Sequence, residues 1–237
     1  MFIRALIELA GRKFFSYFHQ IAFSTSAEIH RRAILESVNW MQQLPDYSHA
    51  QLFSSRQGIQ KHTIKLIKEI SNKSKNGLVL EFGVFTGKSL RLWGNNLDQT
   101  VYGFDSFEGL QETFGGFDAS TKFLRRGKKP KRIGRNSQLV IGEVEKTLEP
   151  FLASQPLGSE GQVIFCHFDM DVYGPTKYVL DKIQNRFKPG TLLLFDELFG
   201  NPNWQHSEFK ALNETIEIDR IQWLAFGPNQ ALLRIIK

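Results

Sequence analysis

The sequence predicts a doubly wound α/β domain behind an N-terminal helical extension. Three observations predict it. Short apolar runs of strand length recur between helical patterns, as a mostly parallel sheet with helices on both faces requires. The first run, residues 78–80, leads into Glu81 and a glycine turn, EFGVFTGKS, that opens a helix at Ser89. The chain closes on two strand-like runs joined by Gly227-Pro228-Asn229, a hairpin signal that adds an antiparallel strand.

Residues 1–55 read as the extension. Phe2, Leu6, Leu9, Phe14, Tyr17, Phe18 and Ile21 fall close to one helical face. Such a stripe suits packing on the core, on a second subunit in a homodimer, or on a membrane surface; core or dimer packing is preferred. A second helix is expected over 27–43, stopped by Pro45, with a polar connector over 46–56. Residues 56–237 form the main domain. It opens with a helix over 57–70, whose apolar positions are Ile59, Ile64, Leu66, Ile67 and Ile70.

Alternation follows. Strands are expected at 78–82, 100–105, 138–141, 163–168, 191–195, 221–226 and 231–236, seven in all. Helices are expected at 88–95, 143–152, 175–187 and 206–215. Pro175 takes the first-turn place that proline tolerates. Residues 106–136 contain no long element.

The bulk properties narrow the setting. A chain of 237 residues suits one such domain plus an extension. The single cysteine, Cys166, excludes an internal disulfide and fits a reducing compartment. It lies in an apolar strand pattern, VIFCHFD, so it reads as a packed residue. No run approaches the ~18 apolar residues that span a bilayer. Arg4, Glu8, Arg12 and Lys13 break the apolar N-terminus, which lacks the order of a signal peptide. The expected location is the cytoplasm. The formal charge of +6 comes from one block, residues 122–135 (KFLRRGKKPKRIGR), with eight basic residues and no acid. Without it the chain is slightly acidic. Such a block is usually a solvated loop, and otherwise a docking surface for an anionic partner.

Acids sit at the ends of the expected strands. Strand, acid, glycine turn and helix is how doubly wound folds hold a nucleotide-like ligand. Glycine permits the sharp turn and a close approach, and the helix start offers free N–H groups. Asp105 ends the second strand, where a carboxylate accepts hydrogen bonds from ribose hydroxyls. Gly142 ends the third. CHFDMDVYGPTK gives Asp169 and Asp171 after the fourth strand, and LLLFDELFGNPNW gives Asp196 and Glu197 after the fifth. These acids are expected to converge beside the first strand. Carboxylates around one point repel unless a cation sits between them, and oxygen ligands suit Mg²⁺ or a similar hard ion.

The spacing E-x-G-x-x-x-G-x-S resembles motif I of class I S-adenosylmethionine-dependent methyltransferases, a Rossmann-like fold. GFDSFEGL (103–110), HFDMDVYGPTK (167–177) and FDELFGNPNWQHSEFKAL (195–212) resemble the macrocin and mycinamicin O-methyltransferase family, whose members methylate sugar hydroxyls on natural products. The chain is more distantly similar to the catechol and caffeoyl-CoA type. The resemblance implies S-adenosylmethionine as cofactor, contacted by Glu81, Gly83, Thr86, Gly87, Ser89, Asp105, Ser106 and Gly142, with adenine beside Gly142. It implies Mg²⁺ or a similar divalent cation on Asp169, Asp196 and Glu197. Asp171 would sit just outside the ligand set, and Trp204 could stack on the acceptor or close the core. Asp169 and His206 are the candidate proton acceptors. The expected function is Mg-assisted methylation of a hydroxyl on a sugar, another small natural product or a glycan. The basic block and the N-terminal helices depart from the family pattern, so its sugar substrates do not transfer with the motifs.

Three rivals are weaker. Tyr173 and Lys177 match the Y-x-x-x-K pair of short-chain dehydrogenases, but Gly174 and Pro175 interrupt it and no dinucleotide fingerprint is present. A nucleic-acid methyltransferase would use the basic block for phosphates. That block has one aromatic, Phe123, and the nearest text to an N-P-P-Y run is Asn201-Pro202-Asn203-Trp204. A non-catalytic scaffold with the same fold is the third.

Overall fold

The computed structural model describes residues 24–71, 77–110, 123–156 and 161–237. The apolar stripe expected over 2–21 lies outside the described residues.

Helix α1 (Thr25–Gln42) starts at Ser24, whose Oγ accepts a hydrogen bond from Ala27 N at 3.1 Å and so satisfies one free amide of the first turn. The segment read as a polar connector contains a short 3₁₀ turn and a two-residue strand, β1 (Gln51–Leu52). Helix α2 (Arg56–Ser71) follows. Then come β2 (Leu78–Phe82), α3 (Lys88–Asn96), β3 (Val101–Asp105) and β4 (Ser137–Ile141). The second half runs α4 (Val144–Ser154), β5 (Val163–Phe168), α5 (Tyr173–Ile183), β6 (Leu192–Phe195), α6 (Glu208–Thr215), β7 (Ile221–Phe226) and β8 (Ala231–Ile235).

The strands form one mixed sheet of eight, in the order β1-β7-β8-β6-β5-β2-β3-β4. Only β8 runs antiparallel among the described strands. The eighth strand beyond the expected seven is β1, which pairs in parallel with β7 at the sheet edge. Two exposed residues make it, too short a run for any periodicity to mark. The order also changes one expectation. Strand β5 is the direct neighbour of β2, but β6 lies one place further out, beside β5.

Side-chain alternation builds a core on each face. Leu80, Phe82, Cys166, Phe168, Leu193 and Phe195 point to the layer of α1, α4, α5 and α6. Val79, Val101, Ile164, Leu192 and Leu194 point to the layer of α2 and α3, where they meet Ile59, Ile67, Leu90 and Trp93. Cys166 is a packed, free thiol whose pKa burial pushes up, which leaves it inert. Among the described residues, no helix is long and apolar enough to cross a membrane.

Helix α1 is fastened to the main sheet layer. The Trp40 ring lies 5.0 Å from Phe209, 5.3 Å from Trp223 and 5.5 Å from Trp204, centroid to centroid. The Ser37 hydroxyl accepts a hydrogen bond from Gly200 N at 2.9 Å. Removing the Trp40 ring should therefore destabilise the whole domain. Trp40→Ala is expected to lower the unfolding free energy by about 3 kcal/mol, read from a urea titration.

Candidate active site

A cavity of about 350 Å³ opens at the C-terminal ends of the central parallel strands. That edge is where open α/β sheets take their ligands. Phe82 and Gly83 at the end of β2, Phe104 to Ser106 at the end of β3, and Gly142 after β4 line one side. Asp169 to Val172 after β5, Asp196 and Glu197 after β6, and Arg56 at the start of α2 line the other.

Acids hold the two strained turns of this wall. Asp105 Oδ2 accepts from Val84 N at 2.8 Å and from Phe85 N at 2.6 Å, and Oδ1 accepts from Phe107 N at 2.6 Å. Phe85 and Phe107 both have positive φ, 47° and 59°, a costly conformation for bulky residues. The carboxylate thus clamps the glycine turn. A carboxylate has about four acceptor places, so one remains for a ligand. Across the cavity, fully buried Glu208 does the same. It accepts from Met170 N, Asp171 N and Glu197 N, each at 3.3 Å. Asp171 there has φ 66°. Burial, with Asp171, Asp169 and Asp196 nearby, raises the Glu208 pKa well above the usual range.

Below the cavity floor lies a polar column inside the α2–α3 layer. Ser89 Oγ donates to Glu81 Oε1 at 2.8 Å. Glu81 Oε2 lies 3.7 Å from His167 Nδ1, and His167 Nε2 lies 3.7 Å from Asp196 Oδ1. These separations are long for direct hydrogen bonds and short enough for ion pairing. Glu81 and His167 are both fully buried and are partners in the β2–β5 register. Burial alone would lower the histidine pKa; Asp196 and Glu81 outweigh it and bring the value up to about 10. His167 is therefore a cation at neutral pH.

Asp196 and Asp169 meet at Arg56. The guanidinium donates to Asp169 Oδ2 at 2.6 Å and pairs through Nε with Asp196 Oδ1 at 3.0 Å. Burial and Asp196 hold the Asp169 carboxyl well above its usual pKa, against His167 and Arg56. Glu197 also reaches the cavity. Its Oε2 accepts from Asn229 Nδ2 at 3.2 Å, and burial, with Asp196 and Asp171, pushes its pKa up to about 7.

The cavity thus brings together Gly83, Asp105, Ser106, Gly142, Asp169, Asp171, Asp196 and Glu197. It does not bring in the others. Glu81 and Ser89 are buried behind its wall. Thr86 and Gly87 lie in the turn outside it. Gly83 and Gly87 serve chain packing: a Cβ on Gly83 would fall 1.8 Å from the Asp169 carbonyl oxygen, and one on Gly87 would fall 2.9 Å from Pro130. Trp204 is drawn into the aromatic cluster around Trp40 and is buried there. His206 is exposed on the 3₁₀ turn that follows Asn203. Tyr173 and Lys177 are engaged elsewhere, Tyr173 donating to Glu214 at 2.6 Å and Lys177 to Asp181 at 2.5 Å. No dehydrogenase-type pair forms.

Three residues of the site carried no role in the sequence reading: Arg56, His167 and Glu208. His167 was detectable as a titratable group inside the apolar run 163–168. Glu208 shares the inward face of its helix with Ala211 and Leu212, at the i, i+3, i+4 spacing. Arg56 had no local signal, since its partner Asp169 is 113 positions away.

Could the residues hold a divalent cation? Asp169, Asp196 and His167 each offer a ligand atom within 4.8 Å of the others. Asp169 and Asp196 fit a hard cation by chemistry. His167 does not while it is protonated, and Glu197 is the cavity carboxylate beside them. The cavity volume falls in the range of small-molecule sites, about 300–1,000 Å³. The spare acceptor place on Asp105 fits a ribose-bearing ligand.

An open parallel sheet with this strand order, a glycine turn after β2 and an acid after β3 defines a Rossmann-like methyltransferase. A family model described as a methyltransferase domain matches residues 80–198, half of the chain, and the chain belongs to that family. Solved structures agree on the fold. A structure of the calicheamicin methyltransferase CalS11 is 21% identical, with a TM-score of 0.56 over 89% of this chain and 93% of that one. An apo structure of CalS11, described as a TDP-rhamnose 3′-O-methyltransferase, is 25% identical, with a TM-score of 0.53 over 88% and 93%. The O-methyltransferase NovP is 15% identical, with a TM-score of 0.53 over 75% and 79%. A search of curated protein sequences gives no match.

The buried histidine sets a pH dependence. Its folded pKa lies above the ordinary 6.5, so its stabilising contribution is fully present below pH 6.5 and is lost as pH rises through about 10. The urea midpoint of the metal-free protein should fall from pH 7 to pH 10. His167→Gln should flatten that slope and cost about 3 kcal/mol at pH 7, because Glu81 and Asp196 lose their buried counter-ion.

Proposed function

We propose that the protein is an S-adenosylmethionine-dependent O-methyltransferase of the macrocin and mycinamicin type, assisted by Mg²⁺ or a similar divalent cation. Its acceptor is a hydroxyl on a sugar, another small natural product or a glycan. The observation that carries this reading is the meeting of Asp169 and Asp196 in the same cavity that Gly83, Asp105 and Gly142 line. The description of CalS11 as a sugar-nucleotide O-methyltransferase supports the sugar acceptor.

Asp105, Ser106, Gly83 and Gly142 would hold the cofactor, while Glu81, Thr86, Gly87 and Ser89 build the turn behind it. Asp169 and Asp196, with Glu197 beside them, would hold the cation. When bound, the cofactor supplies an electrophilic methyl on a positive sulfur and the cation makes a nearby hydroxyl more acidic. The protein's part is positioning and proton removal. The clamped turns fix the two sides of the cavity before a ligand enters. Asp171 faces the acceptor. Asp169 takes the acceptor proton. Glu197, titrating at about 7, is the second acceptor for that proton. Held by Gly83, Asp105, Ser106 and Gly142, the cofactor would supply the methyl carbon, and its sulfur would leave as the acceptor oxygen takes that carbon. The catalytic domain would span residues 56–237, behind the extension expected over 1–55. A second subunit would pack on the exposed Ile34, Leu35 and Val38 of α1. The setting is the cytoplasm, where Cys166 stays reduced.

Calorimetry tests the cofactor assignment. S-Adenosylhomocysteine should bind, and Asp105→Ala should weaken it by about 1–3 kcal/mol through loss of a charged acceptor. No binding to the unmodified protein at millimolar ligand sinks the assignment. For the cation, EDTA should abolish methyl transfer to a hydroxyl acceptor and Mg²⁺ should restore it. Full turnover in EDTA counts against the acidic site.

A further inference from the structure

We propose that Arg56 is the resident counter-ion of the Asp169–Asp196 pair, and that a divalent cation enters this site only by displacing it. The inference rests on the cation site proposed above and deepens it.

The arginine bridges the two carboxylates through different nitrogens, at 2.6 Å to Asp169 Oδ2 and 3.0 Å to Asp196 Oδ1. A cation held by the same pair would lie beside the guanidinium, whichever oxygen of each carboxylate it took. The guanidinium and the ion would then be close like charges, and each would lose the acceptors that the other took. Joint occupancy is therefore disfavoured, and one must leave.

Exposure decides which groups can move. Asp196 has 2% of its side chain exposed and Asp169 20%, so both are set into the wall. His167 is sealed beneath Asp196 at 0% and cannot withdraw. Arg56 is 45% exposed and covers the acids from the solvent side. It stands on the first residue of α2, so its long side chain can rotate into water without unwinding the helix. The pair thus has a fixed ring below and a removable cation above. In the metal-free protein Arg56 prevents the two acids from repelling each other, and it lines the cavity beside them. The consequence is a weakened affinity for the metal.

The test uses the full chain and Mn²⁺ as the probe, with paramagnetic resonance and calorimetry. Arg56→Gln should bind Mn²⁺ at least tenfold more tightly than the unmodified protein, and Arg56→Lys should fall between them. Equal or weaker binding by Arg56→Gln overturns the displacement and leaves the cation site standing. Absence of Mn²⁺ binding in every variant overturns both. A readout that needs no substitution guards against misfolding. In the ¹⁵N-labelled unmodified protein, the Arg56 Nε–H resonance should shift on addition of Mg²⁺ toward that of a solvated guanidinium. An unmoved resonance at saturating Mg²⁺ overturns the proposal.

Discussion

A protonated histidine enclosed between two carboxylates under the strand ends is the constraint on which the cavity depends. Burying His167, Glu81 and Asp196 separately would cost several kcal/mol each. Together they offset one another, and only in one register. Glu81 faces His167 across β2 and β5, and β6 then delivers Asp196 to the other ring nitrogen. A slip of one residue in either strand pair would turn a charged side chain onto the wrong face and leave its partner unpaired. The column therefore does two things. It specifies how the three central strands align, and it fixes Asp196 at the edge of the cavity.

The same economy governs the walls. Asp105 and Glu208 sit on opposite sides of the cavity, and each spends its oxygens on backbone amides of a turn with positive φ. Neither turn would hold its shape without such an acceptor, because Phe85, Phe107 and Asp171 are poorly suited to that conformation. Asp105, which the sequence assigns to a ligand, is thus already at work on the chain. That does not disqualify Asp105 as a ligand contact. It makes the contact rigid, since the group that would meet a ribose is fixed by three bonds to the protein.

Much of the fold was legible because it is written locally. Apolar runs marked the seven longer strands, glycine and proline marked the turns, and Pro45 and the 227–229 turn bounded their elements. Strand β1 was not legible, since two exposed residues carry no pattern. The site was legible at the strand ends, where Asp105, Asp169, Asp171, Asp196 and Glu197 stand just past apolar runs and do reach one cavity. It failed where the role depends on distant packing. Trp204 and His206 are separated by one residue, yet the first is taken by Trp40 from the extension and the second is left in solvent. Glu81 looked like a ligand group because it precedes a glycine turn. The strand's own pleat directs it inward instead, toward His167.

The pairing of β1 with β7 has a consequence for the order of assembly. Gln51 and Leu52 meet Ala225 and Phe226, near the opposite end of the chain. During synthesis, which proceeds from the N-terminus, the early segment has no edge to join until β7 has been made. The parallel centre, from β2 to β6, can form first, with its acids still open to solvent. Docking of the early segment then closes the sheet edge, so the first described strand joins a sheet whose other members are all made after it.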